Sequence, residues 1–254
     1  MKKILLSLIA FSTLFSTPVE NRERIGLLSY PRVGSRWFMY ALIFGANRSW
    51  RVNHSSKNTD AVLWHNFEQE VDESKVVLDT SHHRLFFEKE YLRERDKLIL
   101  ILRNYRECLI RHSGVEKVLQ MIHELNTKSG GKFSANWYLK NLQFFDDWPE
   151  ERRLLIYYED MIQNPKEVFE RVATFIDEDP EVFASFLAHY KEHVAKSLAW
   201  RNAKEGHVRA QSMGRDLSYH SKRISRKKRQ KFDEAVKNNY PDLWEKYLTR
   251  YESK

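Results

Sequence analysis

Four short apolar runs, at residues 24–29, 75–78, 97–102 and 152–157, constrain this chain more than any other feature. Each is apolar on both faces and bounded by charge. Strands covered on both sides read this way, whereas a strand with one wet face alternates. A weaker run at 50–53 is a candidate fifth strand. Helix-spaced patterns fall between the runs, at 35–44, 84–93, 106–125 and 133–148. Such alternation needs crossover helices, so the expected fold class is α/β, a central, mostly parallel sheet flanked by helices.

Beyond the last run the chain reads as helical. Asn164 precedes Pro165 and Glu167, an N-cap with proline at the first helical position, and Val168, Val172, Phe175 and Ile176 supply a buried stripe. Asp179, Pro180 and Glu181 repeat the device ahead of Val182, Phe183, Phe186, Leu187 and Tyr190. Ser225 is the expected cap of a helix carrying Phe232 and Val236, and Leu243, Trp244, Tyr247 and Leu248 form a last apolar face.

A chain of 254 residues without linker or internal repeat fits one domain, expected over residues 22–254. Ahead of it, residues 1–20 have two lysines, an apolar run and then Ser16, Thr17 and Pro18, the layout of a secretory signal peptide. The leader predicts an exported or membrane-associated protein. The alternative is an apolar segment packed on a cytoplasmic domain. No other segment is long and apolar enough for a bilayer. A net charge of +8 favours an anionic ligand or polyanionic partner, and the single cysteine, Cys108, excludes an intrachain disulfide. No His, Cys, Asp and Glu spacing suits a metal, so metal-free chemistry is expected.

The first apolar run leads into Tyr30, Pro31, Arg32, Val33, Gly34, Ser35, Arg36 and Trp37, then a helix pattern. Strand, tight turn and helix start converge backbone N–H groups on a phosphate. This is not an ATP-binding P-loop, because Ser29 stands where the first glycine belongs and Ser35 where the lysine does. It resembles instead the 5'-phosphosulfate loop, P-[KR]-S-G-T-[TS]-W, of sulfotransferases that use 3'-phosphoadenosine 5'-phosphosulfate (PAPS). A second match ends the third run, where Arg103, Asn104, Tyr105, Arg106 and Glu107 resemble the family's 3'-phosphate motif R-[ND]-P-[KR]-[DE], with Tyr105 in place of proline. The third is Tyr158, Glu159, Asp160 and Met161 with Asn164 and Pro165, similar to Y-E-D-[ML] followed by [DN]-P. All three fall in family order on expected strand ends.

The resemblance implies a P-loop NTPase-like α/β fold and transfer of a sulfuryl group from PAPS to a hydroxyl on a carbohydrate or small alcohol. It puts Arg32, Gly34, Ser35 and Arg36 on the phosphosulfate, and Trp37 either against adenine or in packing. Arg103 takes the 3'-phosphate, with either Arg111 or Ser113 beside it, since the family's serine position is Arg111 here. Tyr158 lies near adenine, while Glu159 and Asp160 anchor the turn. The family's K-[TS]-H element falls at Asp79 to His83, implying His82 as base, with His83 as the alternative. A histidine near its ordinary pKa suits that proton transfer. Arg209, Ser212 and Gly214 weakly echo an R-K-G clamp. Between Lys222 and Lys231 stand seven Lys or Arg in ten residues, a solvated helix face or a site for an anionic acceptor. Two other readings compete: a basic nucleic-acid binder, which lacks any recognition motif, and a sulfotransferase-like chain that binds nucleotide without turnover. Oligomeric state is not legible.

Overall fold

A computed structural model describes residues 24–46, 50–54, 76–82, 84–85, 96–131, 133–193 and 221–253. The leader, most of the pattern at 84–93, His83 and Arg209 lie outside these residues.

Five strands form one sheet: β1 (Arg24–Ser29), β2 (Trp50–His54), β3 (Val76–Ser81), β4 (Lys97–Leu102) and β5 (Arg153–Tyr157). All are parallel, in the order β2-β3-β1-β4-β5. The expected runs are all present; β3 reaches three residues further than its apolar stretch, because Asp79, Thr80 and Ser81 keep pairing with β1 and β2. Ile25, Leu27, Leu98, Ile99 and Ile156 are almost fully buried, as two-sided packing demands. From β1 the chain passes to the edge strand β2, comes back to β3 beside β1, and then crosses to build β4 and β5 on the other side. The strand order therefore switches between β1 and β4, where open α/β sheets hold their ligands. Ser29 is level with Ile101, Leu28 with Ser81 and Leu102 with Tyr157, so four strands deliver their carboxyl ends to one edge.

Helix α1 (Ser35–Gly45) follows β1. The expected helix at 106–125 is two helices, α2 (Tyr105–Ser113) and α3 (Val118–Asn126), because Gly114 takes φ +94° and a 3-10 turn intervenes. Then come α4 (Ala135–Asp146), α5 (Tyr158–Gln163), α6 (Pro165–Phe175), α7 (Ala184–Ala188) and α8 (Arg226–Asn239). Asn164 precedes Pro165 as expected, but its side chain makes no capping hydrogen bond. Asp179 caps a 3-10 turn and Ser225 caps α8, accepting from the N–H of Lys228.

The C-terminal part is tied to the sheet by a buried polar network. Arg106 pairs with Asp233 on α8 and donates to the carbonyl of Tyr251. The Tyr105 hydroxyl also donates to Asp233, and Asp233 accepts from the N–H of Ser253 at 2.9 Å. Tyr105 thus gains, in place of the family's proline, a partner 128 residues away.

Candidate functional site

The loop after β1 must turn sharply to start α1 at the sheet edge. Arg32 takes φ +74° and Gly34 φ +93°, and Val33 anchors the loop in the core. Gly34 is required twice over: a side chain is strained at that φ, and an added Cβ would lie 2.6 Å from the Tyr158 ring. Gly34 is the N-cap residue of α1, which has no side-chain cap and no acid in its first turn. The first N–H groups and the positive helix end are therefore left for an anion, with Ser35 and Arg36 in that first turn. The Arg32 side chain is exposed at the loop tip.

The end of β4 brings in Arg103, which is 3% exposed. Its Nη1 donates to the Arg32 carbonyl at 3.3 Å, its Nη2 lies 3.9 Å from Glu107, and the guanidinium stacks 4.3 Å from the Tyr158 ring centroid. Tyr158 is thus held between Gly34 and Arg103. The Arg103 Nε is buried without a hydrogen-bond partner, a costly state for a cationic donor and one that a phosphate oxygen would relieve. Arg111 joins this cluster one helical turn beyond Glu107. Burial, then the charge of Arg103, lowers its pKa, while Glu107 and Tyr158 oppose the shift. Ser113, half-buried at the end of α2, makes no hydrogen bond to Arg103. Burial raises the Tyr158 pKa against the pull of Arg103 and Arg111, so the phenol stays neutral at physiological pH.

Several contacts hold this arrangement. Asn104 caps α2, accepting from the N–H groups of Arg106 and Glu107, and its own N–H donates to Glu159 at 3.1 Å. Tyr251 donates to the other oxygen of Glu159 at 2.8 Å, and Asp160 receives two hydrogen bonds from Arg250. The Tyr138 hydroxyl donates to the Arg103 carbonyl at 2.7 Å. Glu159 and Asp160 are thus anchors of the strand-to-helix turn.

His82 lies at the end of β3, half-buried. Its Nδ1 is 2.8 Å from the Ser29 hydroxyl and 3.2 Å from the Ser29 carbonyl. A carbonyl only accepts, so this environment assigns the proton to Nδ1 and leaves Nε2 as the basic nitrogen. The His82 carbonyl accepts from Trp137 Nε1 and Asn141 Nδ2 of α4, both at 3.1 Å, and Asn141 Oδ1 accepts from the N–H of Arg84 at 3.3 Å. One amide therefore holds both His82 and Arg84. Ser29, Trp137, Asn141 and Tyr138 escape sequence reasoning. Ser29 alone leaves a sign, as the polar residue that ends an apolar strand directly before the loop.

Trp37 lies among aromatic rings. It is 4% exposed, stacked 5.6 Å from Tyr40 and edge-on to Tyr190 at 5.3 Å, with Phe186 alongside. Cys108 is fully buried, and burial raises its pKa, which leaves it a core thiol. His112 stands beside the loop, its pKa lowered by burial, then by Arg32 and Lys117. Among the described residues no group of His, Cys, Asp and Glu could hold a metal ion.

A parallel sheet with cationic groups at its switch point, a glycine turn and an uncapped helix start defines a P-loop-like α/β protein. The chain belongs to the sulfotransferase-domain family, whose profile matches residues 22–252, and it is a transferase. Among solved structures it is similar to a mouse sulfotransferase complexed with PAP, at 15% identity and a TM-score of 0.54, covering 88% of this chain and 89% of that one. It is also similar to retinol dehydratase in complex with retinol and PAP, at 13% identity, a TM-score of 0.59 and coverage of 86% and 81%. The same enzyme with androsterone and PAP aligns at 14% identity and a TM-score of 0.56, covering 89% and 83%. A search of curated protein sequences finds no match. At these identities the likeness establishes the fold, and the chemistry rests on this chain's own residues.

Proposed function

We propose that the protein moves a sulfuryl group from PAPS to a hydroxyl on a carbohydrate or small alcohol. The observation that carries this reading is the Arg103 guanidinium: buried at the switch point, stacked on Tyr158, joined to the Arg32 carbonyl, and with its Nε unpartnered. In this reading Arg103 and Arg111 bind the 3'-phosphate and Tyr158 borders the adenine. Arg32, Gly34, Ser35 and Arg36, with the first N–H groups of α1, hold the 5'-phosphosulfate. Charge-assisted donors placed there stabilise negative charge as it grows on the bridging oxygen.

His82 Nε2 takes the proton of the acceptor hydroxyl while that oxygen bonds to sulfur. The bond from sulfur to the 5'-phosphate oxygen breaks, and its electron pair leaves with 3'-phosphoadenosine 5'-phosphate (PAP). Hydrogen bonding of Nδ1 to Ser29 supports His82 for this role, because it fixes both tautomer and ring orientation. Retinol and androsterone, held by one structural relative, are both alcohols, which supports a hydroxyl acceptor.

Calorimetric titration of the purified chain with PAP, with AMP as comparison, tests the donor. PAP should bind in the micromolar range and AMP far more weakly. Arg103→Ala should weaken PAP by roughly tenfold to a hundredfold, the loss of charge-assisted hydrogen bonds to a phosphate. Equal affinity for both nucleotides, or an unaffected Arg103→Ala variant, would overturn the assignment.

A further inference from the structure

The first turn of α8 runs against the electrostatics of its own helix. A helix N-terminus is stabilised by acids, yet this turn has none and begins Arg226, Lys227, Lys228, Arg229. Lys227 and Lys231, one turn apart, are a like-charge pair on the exposed side, and like charges at that spacing repel. Arg226, Lys227, Lys228 and Lys231 are all exposed, and none has a carboxylate partner among the described residues. Glu234 is the first acid further along that side. Folding alone would select against such a turn, and local conflicts of this kind mark functional surfaces.

The position of the strip gives it a role. The helix packs on α3, and the 3-10 turn just before it, Ser221–Arg223, lies against α2. Helix α2 starts at the end of β4 beside Arg103 and carries Arg111, so the strip and the candidate anion site share one support. We infer that this cationic face is the docking surface for a linear acidic polysaccharide, which presents hydroxyls to the site as acceptor. Only the acceptor role rests on the sulfotransferase reading above.

The composition of the strip selects this partner over other polyanions. Its exposed residues are Lys222, Arg223, Ser225, the four cations named above, and Gln230. It contains no aromatic side chain to stack on bases, and its one aliphatic residue, Ile224, is 4% exposed and unavailable to a bilayer. Charge complementarity with hydrogen bonding is what remains, and a polymer of sugar acids offers both together with the hydroxyl that sulfuryl transfer requires.

The test compares the full chain with its Lys227→Glu/Lys231→Glu variant on three probes: a heparin hexasaccharide, a single-stranded DNA of matched charge, and phosphatidylserine vesicles. The hexasaccharide should bind tightest, in a salt-dependent manner, and the double variant should lose about tenfold, as inverting surface charges beside an anionic partner implies. The variant's melting temperature should not fall, because an acid replaces Lys227 in the first turn while one like-charge pair is merely exchanged for another. Tighter binding of DNA or vesicles, no hexasaccharide binding, or an unaffected variant would overturn the inference. PAP affinity, measured on the same samples, separates the two readings: its absence from the parent chain counts against the donor assignment, whereas normal PAP binding without hexasaccharide binding counts against this surface alone.

Discussion

Ser29 and His82 stand 53 residues apart, and their contact decides what the histidine can do. A lone imidazole at a strand end samples two tautomers and several rotamers, whereas one held by a hydroxyl and a carbonyl presents a single nitrogen. We therefore expect Ser29→Ala to lower kcat by about tenfold, a part of what general-base catalysis contributes. In a His82→Ala background the same change should cost nothing further, because the two residues act as one unit. A steady-state double-mutant cycle checks this, and equal losses in both backgrounds would remove Ser29 from the mechanism. At this scale the sequence was only partly legible. Arg32, Arg103 and His82 sit in local patterns that a reader can match, but Trp137 and Asn141 reach His82 from a helix 55 and 59 residues on, and no local pattern marks them. Trp37 reads equally as packing or stacking in the sequence, and nothing local announces that Tyr40, Phe186 and Tyr190 surround it.

Among elements, strands were the most legible, because burial on both faces leaves continuous apolar runs that few other structures tolerate. The break at Gly114 was not, since α2 and α3 keep a helical spacing of apolar residues on either side of it. The join between β1 and α1 bears directly on the site. Gly34→Ala should destabilise the fold by about 1–2 kcal/mol for the left-handed backbone alone, with more from the collision with Tyr158. Because that collision pushes Tyr158 toward Arg103, PAP affinity should fall more than stability does. Denaturant unfolding read beside calorimetry separates the two effects; a variant that loses stability but binds PAP normally would show that the turn does not shape the site.

At the scale of the whole molecule, the resemblance covers the sheet and its edge, while the C-terminal part had to be seen. The proline missing at position 105 looks like a flaw in the motif until Asp233 is found accepting from the tyrosine hydroxyl that replaces it. Arg106 and Asp233 are both nearly fully buried, so removing one leaves the other as an uncompensated charge. Asp233→Ala should cost about 3–5 kcal/mol, and Arg106→Met/Asp233→Leu, which removes both charges, distinctly less. Chemical denaturation of the three chains is the measurement, and a double variant as unstable as the single one would mean that hydrogen bonds to Tyr105 and Tyr251 carry the stability instead.

The same network sets an order of events during synthesis. Asn104, next to the buried arginine, donates to Glu159, which Tyr251 holds in turn; Ser253 donates to Asp233, which holds Arg106. The strands and the glycine turn leave the ribosome well before these braces, which Asp233, Tyr251 and Ser253 contribute. A nascent chain halted before residue 250 would carry every motif recognised above and still lack the braces behind Arg103, so tight binding of an anionic ligand would report that this late segment has been made and docked.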